Sequence, residues 1–391
     1  MRRLAIVLSH PTQYYSPWFR WLRANTALEF RVFYLWEFGV TRQRDPQFGT
    51  TFQWDTDLRS GYDHEFVPNV AADPGTHHFK GLDNPELPAR LAAWRPEAIL
   101  LFGYAYRSHL QVIWWARWHR VPLIFRGDSH LIGRGALPWR RHWPLRLLYR
   151  QFAAITYVGA ANRDYFRGLG VPEKKLFFAP HAVDAAHFNP GDPATRAAAG
   201  RRRTELGLAG KRVVLFAGKF HDGKQPVELL ESFLAVAGPE DALLFVGDGA
   251  RRERLQELAQ ARPDRLVRFL PFANQSEMPA LYATADIFAL PSRGHYETWG
   301  LAINEAMHLG VPCLVSDRVG CQRDLVTPGE TGWVFAAEDP LNLTTALQQA
   351  LHAPPGELRR LGENARARVA GYTYQQTSAG LRQALASLPA T

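Results

Sequence analysis

The sequence predicts an α/β protein built from two parallel-sheet domains. Three observations lead there. The chain has 391 residues, more than one ordinary hydrophobic core accommodates. Short apolar runs of strand length alternate with helix-like segments, and that alternation is the pattern of crossover-linked parallel strands. Between Pro180 and Gly210 the periodicity breaks down, which splits the alternation into two series.

The first series places strands at Leu4–Leu8, Phe30–Tyr34 and Ala98–Phe102, and at 122–125 and 154–158. Ser16-Pro17 reads as an N-cap followed by proline at the first helical position, predicting a helix over residues 18–22. Residues 37–90 are rich in Asp, Pro, Gly and His and read as an insertion of loops that shapes an acceptor site. Pro190-Gly191-Asp192-Pro193 marks a linker. The second series places strands at 212–216, 243–247, 267–270, 287–291 and Cys313–Ser316. Helices fall near 225–236, 251–261, 276–284, 300–309, 340–352 and 356–370, and an amphipathic helix closes the chain at 374–388. The predicted division is a first domain at 1–185, a linker at 186–210, a second domain at 211–372 and a C-terminal helix at 373–391.

Composition is that of a soluble globular protein. The two cysteines, Cys313 and Cys321, have neither metal-ligand spacing nor a disulfide framework, so a reducing, cytoplasmic setting is expected. The N-terminal apolar run stops at Ser9, His10 and Pro11, too short for a signal peptide, and no run reaches the roughly 18 residues of a membrane span. Charge is uneven. Residues 1–190 hold 24 Lys and Arg against 15 Asp and Glu, whereas the remainder balances at 22 of each, and ten of the twelve tryptophans lie in the first half. The first domain is therefore expected to meet something anionic or flat and apolar. Its most basic stretch, Arg134 to Arg150, has five arginines, two tryptophans and no acid. Such a stretch suits an anionic membrane surface. No nucleic-acid motif accompanies it, so nucleic acid is not expected as a partner. The Arg201–Arg203 cluster reads as a solvated face.

The chemistry concentrates between Leu290 and Phe335, in LPSRGHYETWGLAINEAMHLGVPCLVSDRVGCQRDLVTPGETGWVF. Glu297 and Glu305 flank Gly300, which sits where a helix should begin. A strand that leads a carboxylate to a helix start is how open α/β sheets build ligand sites. Free N–H groups at the helix start attract phosphate, and acceptor-only carboxylates bind hydroxyls. Phosphate with hydroxyls points to a nucleotide sugar. On one helix the two glutamates stand about 12 Å apart, beyond the roughly 5.5 to 9.5 Å of a glycosidase pair.

The string PSRGHYETWGLAINEAMHLGVP resembles the E-x7-E signature of the group-1 (family 4) glycosyltransferases, which have the GT-B fold. Three further segments resemble the family in the same order: FAPHAVDAAHFNP, where the family usually reads N-G-V-D; FAGKFHDGKQPVELLESF, its phosphate-binding turn; and FVGDGARRERL. The resemblance implies two Rossmann-like domains facing across a cleft, with the last helix crossing back onto the first. It implies retaining transfer of a sugar from a nucleotide diphosphate sugar to a glycan or lipid-linked acceptor, as in surface polysaccharide assembly. In these roles Glu305 holds the ribose, and Glu297 holds hydroxyls of the transferred sugar. Gly218, Thr298, Gly300 and Leu301 line the donor, and Lys219 and Lys224 face the diphosphate. No Asp-x-Asp is placed to hold a divalent ion, so neither a metal nor another cofactor is expected.

The first domain departs from the family. Its glycine-rich first loop is replaced by Ser9-His10-Pro11-Thr12-Gln13-Tyr14-Tyr15, in which His10, Thr12 and Gln13 are the candidate phosphate or acceptor contacts. Counting from Pro122 places Asp128 where the family carries a histidine near the reacting sugar, with His130 two residues later. The departures keep two other readings open: a nucleotide-sugar or glycan binding protein without transfer, and a nucleotide-sugar epimerase. A nicotinamide dehydrogenase is disfavoured, because no G-x-G-x-x-G follows the first strand.

Overall fold

The structure is a computed structural model describing residues 3–41, 43–44, 51–294 and 297–389. The first domain runs β1 (Leu4–Leu8), α1 (Tyr15–Asn25), β2 (Phe30–Tyr34), β3 (Gln43–Arg44), β4 (Thr51–Phe52), β5 (His64–Phe66), α2 (Leu87–Trp94), β6 (Ala98–Phe102), α3 (Arg107–Trp118), β7 (Leu123–Arg126), α4 (Trp139–Tyr149), β8 (Ala154–Tyr157), α5 (Ala160–Gly168) and β9 (Leu176–Phe178). Its seven-stranded sheet has the order β5-β2-β1-β6-β7-β8-β9 with every pair parallel, and β3 and β4 form a separate antiparallel ribbon. All five residues of β1 are apolar and buried, as a strand covered by helices on both faces requires.

The faces divide by sequence parity. Val7, Leu101 and Phe125 point into a cluster shared with α2, α3 and α5, whereas Ile6, Leu100 and Ile124 point into one shared with α1 and the chain's last helix. The second domain runs α6 (Pro193–Glu205), β10 (Arg212–Ala217), α7 (Pro226–Val236), β11 (Asp241–Val246), α8 (Arg252–Gln260), β12 (Leu266–Leu270), α9 (Met278–Ala283), β13 (Ile287–Leu290), α10 (Leu301–His308), β14 (Cys313–Ser316), α11 (Gln322–Leu325), β15 (Gly332–Phe335), α12 (Pro340–His352) and α13 (Pro355–Val369). Its six strands, ordered β12-β11-β10-β13-β14-β15, are also all parallel. Both sheets therefore place their loops for ligand binding at the carboxyl ends of the strands.

The last helix, α14 (Tyr374–Ala386), crosses back onto the first domain. Thr377 donates to the Pro180 carbonyl at 2.7 Å, and Trp18 Nε1 donates to Ser378 at 3.0 Å. At Gly380 the backbone approach is so close that a Cβ would lie 1.9 Å from the Phe178 carbonyl oxygen.

Two local readings are corrected. The helix expected to open at Ser16 begins at Tyr15, because Thr12 already closes the first turn: its hydroxyl accepts from Tyr15 N–H at 3.2 Å and its carbonyl from Ser16 N–H at 3.1 Å. Ser16 is buried and accepts instead from the Tyr62 hydroxyl. The 186–210 stretch, expected to be an aperiodic linker, holds the thirteen-residue α6. Asp192 accepts from Ala194 and Thr195 N–H, and Pro193 takes the first helical position, so the Pro-Gly-Asp-Pro run that suggested a linker is a helix start. Within 37–90 the structure adds the edge strand β5 and the β3–β4 ribbon. Residues 42 and 45–50 of that insertion lie outside the described residues, as do His295 and Tyr296 of the glutamate motif.

Candidate functional site

The first-domain β1 and β7 loops meet the second-domain β10 and β13 loops across a cleft. After β10, Gly218 adopts φ +157 and leads through Lys219 into a turn of 3-10 helix, Asp222–Lys224. Gln225 in the left-handed region then turns the chain into α7, whose first residue is Pro226. His221 lies in this turn; burial, then the charges of Lys224 and Lys219, push its pKa down.

Lys224 Nζ pairs with Glu297, whose carboxylate also accepts from the Ser292 hydroxyl at 3.2 Å. Both charged side chains are mostly buried, 20 % and 14 % exposed. Glu297 precedes α10 in a loop, so the two glutamates do not share a helix. Gly300, in the left-handed region at φ +99, caps α10 and leaves the N–H groups that follow Leu301 at a helix start. A side chain at Gly300 would press on Val319 at 3.0 Å and be strained besides.

Glu305 is buried one turn into α10. It accepts from Tyr282 at 2.7 Å and from Gln275 Nε2 at 3.4 Å. Burial pushes its carboxyl up, and Tyr282, Gln275 and the first-domain Tyr14 oppose the shift. Glu305, Gln13, Tyr14 and Gly218 line one cavity of about 160 Å³.

From the first domain, Asp128 reaches across the cleft and accepts from the Thr298 hydroxyl at 2.8 Å. It lies 3.5 Å from His181 Nε2. Burial pushes the Asp128 carboxyl up, but His181 and Thr298 outweigh it and hold it at about 2. His130 also bridges the domains. Its Nδ1 accepts from Ile132 N–H at 3.1 Å, which leaves the proton on Nε2 to donate to the Glu297 carbonyl at 3.3 Å. Asp128 and His130 thus meet the Glu297–Thr298 loop at different atoms.

The structure brings together Glu297, Lys224, Thr298, Asp128 and His130 around one loop, and Gln13, Gly218 and Glu305 around the adjoining cavity. It does not join His10 to either group among the described contacts. His10 bonds Ser9 Oγ at 3.0 Å, meets Trp36 and Phe38 edge-on, and burial lowers its pKa to about 4. Thr12 spends its hydroxyl on closing α1.

Sequence reasoning missed Tyr14, Tyr282, Gln275 and Ser292 as partners of the glutamates, and His181 as the partner of Asp128. His181 had a signal: it stands where the resembling segment usually reads asparagine. Among the described residues one group has metal-ligand geometry, Asp73, His77 and His78, with ligand atoms within 4.8 Å of one another; none of them lines the cleft cavity.

With this geometry in hand, the comparisons are decisive for the family. The profile of the family described as Glycosyl transferases group 1 matches residues 201–368, and that of the Glycosyl transferase 4-like domain matches 11–182. A D-inositol 3-phosphate glycosyltransferase of Nocardia farcinica is 31% identical over 354 residues, covering 81% of this chain and 74% of the relative. The chain belongs to the group 1 glycosyltransferases. Another relative of this glycosyltransferase, a GDP-mannose-dependent alpha-(1-6)-phosphatidylinositol monomannoside mannosyltransferase of Mycolicibacterium smegmatis, is 31% identical over 243 residues, 59% of this chain and 61% of that one. Among solved structures, Anabaena HepE in complex with UDP and glucose superposes with a TM-score of 0.72 at 16% identity, over 99% of this chain and 100% of that one. WaaG, a glycosyltransferase involved in lipopolysaccharide biosynthesis, superposes with a TM-score of 0.65 at 16% identity over 96% and 98%. These likenesses establish the GT-B fold. Among the described residues no helix is long and apolar enough to cross a membrane.

Proposed function

We propose that this glycosyltransferase moves a sugar from a nucleotide diphosphate sugar to a glycan or lipid-linked acceptor, with retention of configuration and without a metal, in surface polysaccharide or glycolipid assembly. The observation that carries the reading is the convergence at one cleft of the Lys219–Lys224 turn, the α10 start at Gly300–Leu301 and two carboxylates with different partners. Glu305 takes the ribose hydroxyls in place of Tyr14. Glu297 takes hydroxyls of the transferred sugar. Lys219 and Lys224 face the diphosphate, whose negative charge grows as the bond to the anomeric carbon breaks; fixed cations are most effective against charge that develops in the transition state. The acceptor hydroxyl bonds to the anomeric carbon on the face the diphosphate leaves, and its proton passes to the diphosphate oxygen. Asp128, ionised at any physiological pH, binds a sugar hydroxyl. HepE's complex with UDP and glucose and the GDP-mannose dependence of the mycobacterial relative support a nucleotide-sugar donor.

We further propose that the first domain rests on the cytoplasmic face of an anionic membrane, where a lipid-linked acceptor is presented. On α4, Trp139, Trp143 and Leu147 are all more than half exposed and succeed one another at four-residue spacing, with Arg140 and Arg141 exposed beside them. α3 covers the same face of the sheet and exposes Trp114 and Trp118. Large apolar side chains held in water beside arginines match an anionic bilayer in both respects. Arg146 takes a different role: it packs on Gly170 and lies over the Trp143 ring.

The test of the donor reading is a panel of nucleotide sugars added to the purified protein. One of them is expected to raise its melting temperature; if none does and no donor is hydrolysed, the reading fails.

A further inference from the structure

The insertion at 37–90 holds a cluster of side chains that the proposed transfer does not use. It lies in the run Asp73-Pro74-Gly75-Thr76-His77-His78. His77 Nε2 lies 3.0 Å from Asp73 Oδ2, and His78 Nε2 lies 3.3 Å from the same oxygen. His78 Nε2 is also 3.0 Å from the Asp73 carbonyl oxygen. The two imidazoles meet edge-on, with ring centroids 4.5 Å apart. Both rings therefore turn the same nitrogen toward one carboxylate.

The backbone, more than the side chains, builds this arrangement. Exposed ion pairs add little to stability, and Asp73, His77 and His78 are 70 %, 58 % and 36 % exposed. The loop that carries them is closed at its neck. Val70 N–H donates to the Asp83 carbonyl at 2.9 Å, and Gly75 N–H donates to the Gly81 carbonyl at 3.1 Å. Asn69 ties the same neck, its Nδ2 donating to the Gly81 carbonyl at 2.9 Å and its Oδ1 accepting from Asp83 N–H at 3.0 Å. From beyond β6, the Tyr106 hydroxyl donates to the Thr76 carbonyl at 3.0 Å. Two glycines are needed for close approach. A Cβ on Gly81 would lie 2.1 Å from the Gly75 carbonyl oxygen, and one on Gly75 would lie 2.5 Å from His77 Nδ1. Gly75 thus leaves the space into which the His77 ring folds to reach Asp73.

The spacing of the ligand atoms fits a small divalent ion. Zinc bonds to nitrogen and oxygen of about 2.0–2.1 Å set tetrahedral ligands about 3.3–3.4 Å apart. The two separations from Asp73 Oδ2 are 3.0 and 3.3 Å, and the ligand atoms of the three residues all lie within 4.8 Å of one another. Two imidazoles with one carboxylate suit zinc and its first-row neighbours, whereas magnesium and calcium take oxygen ligands. The exposure of the cluster leaves a fourth position to water.

We propose that Asp73, His77 and His78 form a divalent-metal site of the zinc type, in which the ion staples the loop between β5 and α2. None of the three lines the cavity beside Glu305, so the site is independent of the donor reading. It departs from the expectation that no metal is bound, which rested on the lack of an Asp-x-Asp pair.

The test is titration of the untagged full chain, first stripped with a chelator, with zinc chloride against a chromogenic zinc indicator. Wild type is expected to take up zinc stoichiometrically and to keep it in excess magnesium. Asp73→Asn, and the double variant His77→Ala with His78→Ala, should each weaken zinc binding by at least about tenfold, the loss that even outer partners of a metal-bound histidine produce. His142→Ala, at an exposed histidine elsewhere, should bind as wild type does. Cobalt(II) should give wild type the intense visible absorption of a low-coordinate site, and leave the double variant with the faint spectrum of the aquo ion. No stoichiometric zinc uptake by wild type, or equal uptake by the double variant, overturns the site. Displacement of zinc by magnesium overturns its metal class, and a faint aquo-ion spectrum in wild type overturns the three-ligand geometry.

Discussion

Replacing Lys224 with alanine separates what this lysine does for the fold from what it does for the reaction. In the structure Lys224 pairs with Glu297, and the two side chains are 20 % and 14 % exposed. Without the lysine, Glu297 keeps the Ser292 hydroxyl at 3.2 Å as its side-chain partner. Orphaning one member of a fully buried pair costs about 3–5 kcal/mol, so partial exposure predicts a smaller loss of stability here. The catalytic loss is of another kind. A donor aimed at charge that develops in the transition state is worth about 100- to 1,000-fold in kcat, and an interaction of that sort lowers turnover more than it raises KM. The expected pattern is a fall of about 100- to 1,000-fold in kcat at saturating donor, with a smaller change in donor KM. The double variant with Glu297→Gln should regain melting temperature, because the unpaired charge is gone, and regain no turnover. Initial rates at saturating donor and thermal denaturation of the three proteins measure both. Unchanged turnover in Lys224→Ala removes the lysine from the diphosphate site; recovery of turnover in the double variant shows that it served only to neutralise Glu297.

Further outcomes follow from other parts of the molecule. His109 is 1 % exposed, and burial lowers its pKa to about 3. Its folded state stays neutral while the unfolded chain takes up a proton near pH 6.5, so stability is full above that pH and declines as pH falls toward 3, by about 3 kcal/mol at pH 4 from this residue alone. In urea titrations across pH 7 to 4, His109→Leu should flatten that decline, and a slope equal to wild type contradicts the assignment. Gly380→Ala places a methyl group against the Phe178 carbonyl; overpacking of this kind costs about 1–3 kcal/mol, read as a lower urea midpoint, and a midpoint equal to wild type shows that α14 can shift to accept it. Anionic vesicles should sediment the protein at low salt and release it at high salt, since the attraction is screened within about 10 Å at 0.1 M. A variant with Trp139→Ser, Arg140→Glu and Arg141→Glu should stay in solution; equal sedimentation of the two places the contact elsewhere.

The central strands of both sheets were legible because each is a continuous apolar run buried on both faces, as β1 and β13 show. The edge strands β5 and β9 were not, since three residues with partial burial carry no period. α6 was hidden by its own start signal: the same Pro and Asp that break a chain also cap a helix. Within the site, Glu297 and Glu305 lie on one contiguous motif and the lysine turn on another, and the family resemblance of the two motifs, rather than spacing, placed them together. Tyr14 reaches the Glu305 cavity only through the meeting of two domains, which no local pattern encodes. The departure from the family's glycine-rich loop marked the place, and the structure shows that Tyr14 of that loop lines the cavity beside Glu305. The cross-domain contact of Asp128 with Thr298 likewise joins residues 170 positions apart.

The most direct measurement of the proposed reaction is the anomer of the sugar first released. The preferred nucleotide sugar, incubated with wild type and with Glu297→Ala and followed by proton NMR from the earliest minutes, yields nucleoside diphosphate and free sugar even without an acceptor. The account predicts that the first sugar signal has the donor's own anomeric configuration, that the other anomer grows in only as the free sugar equilibrates, and that Glu297→Ala suppresses the release. First appearance of the opposite anomer, or release at the wild-type rate in Glu297→Ala, contradicts it.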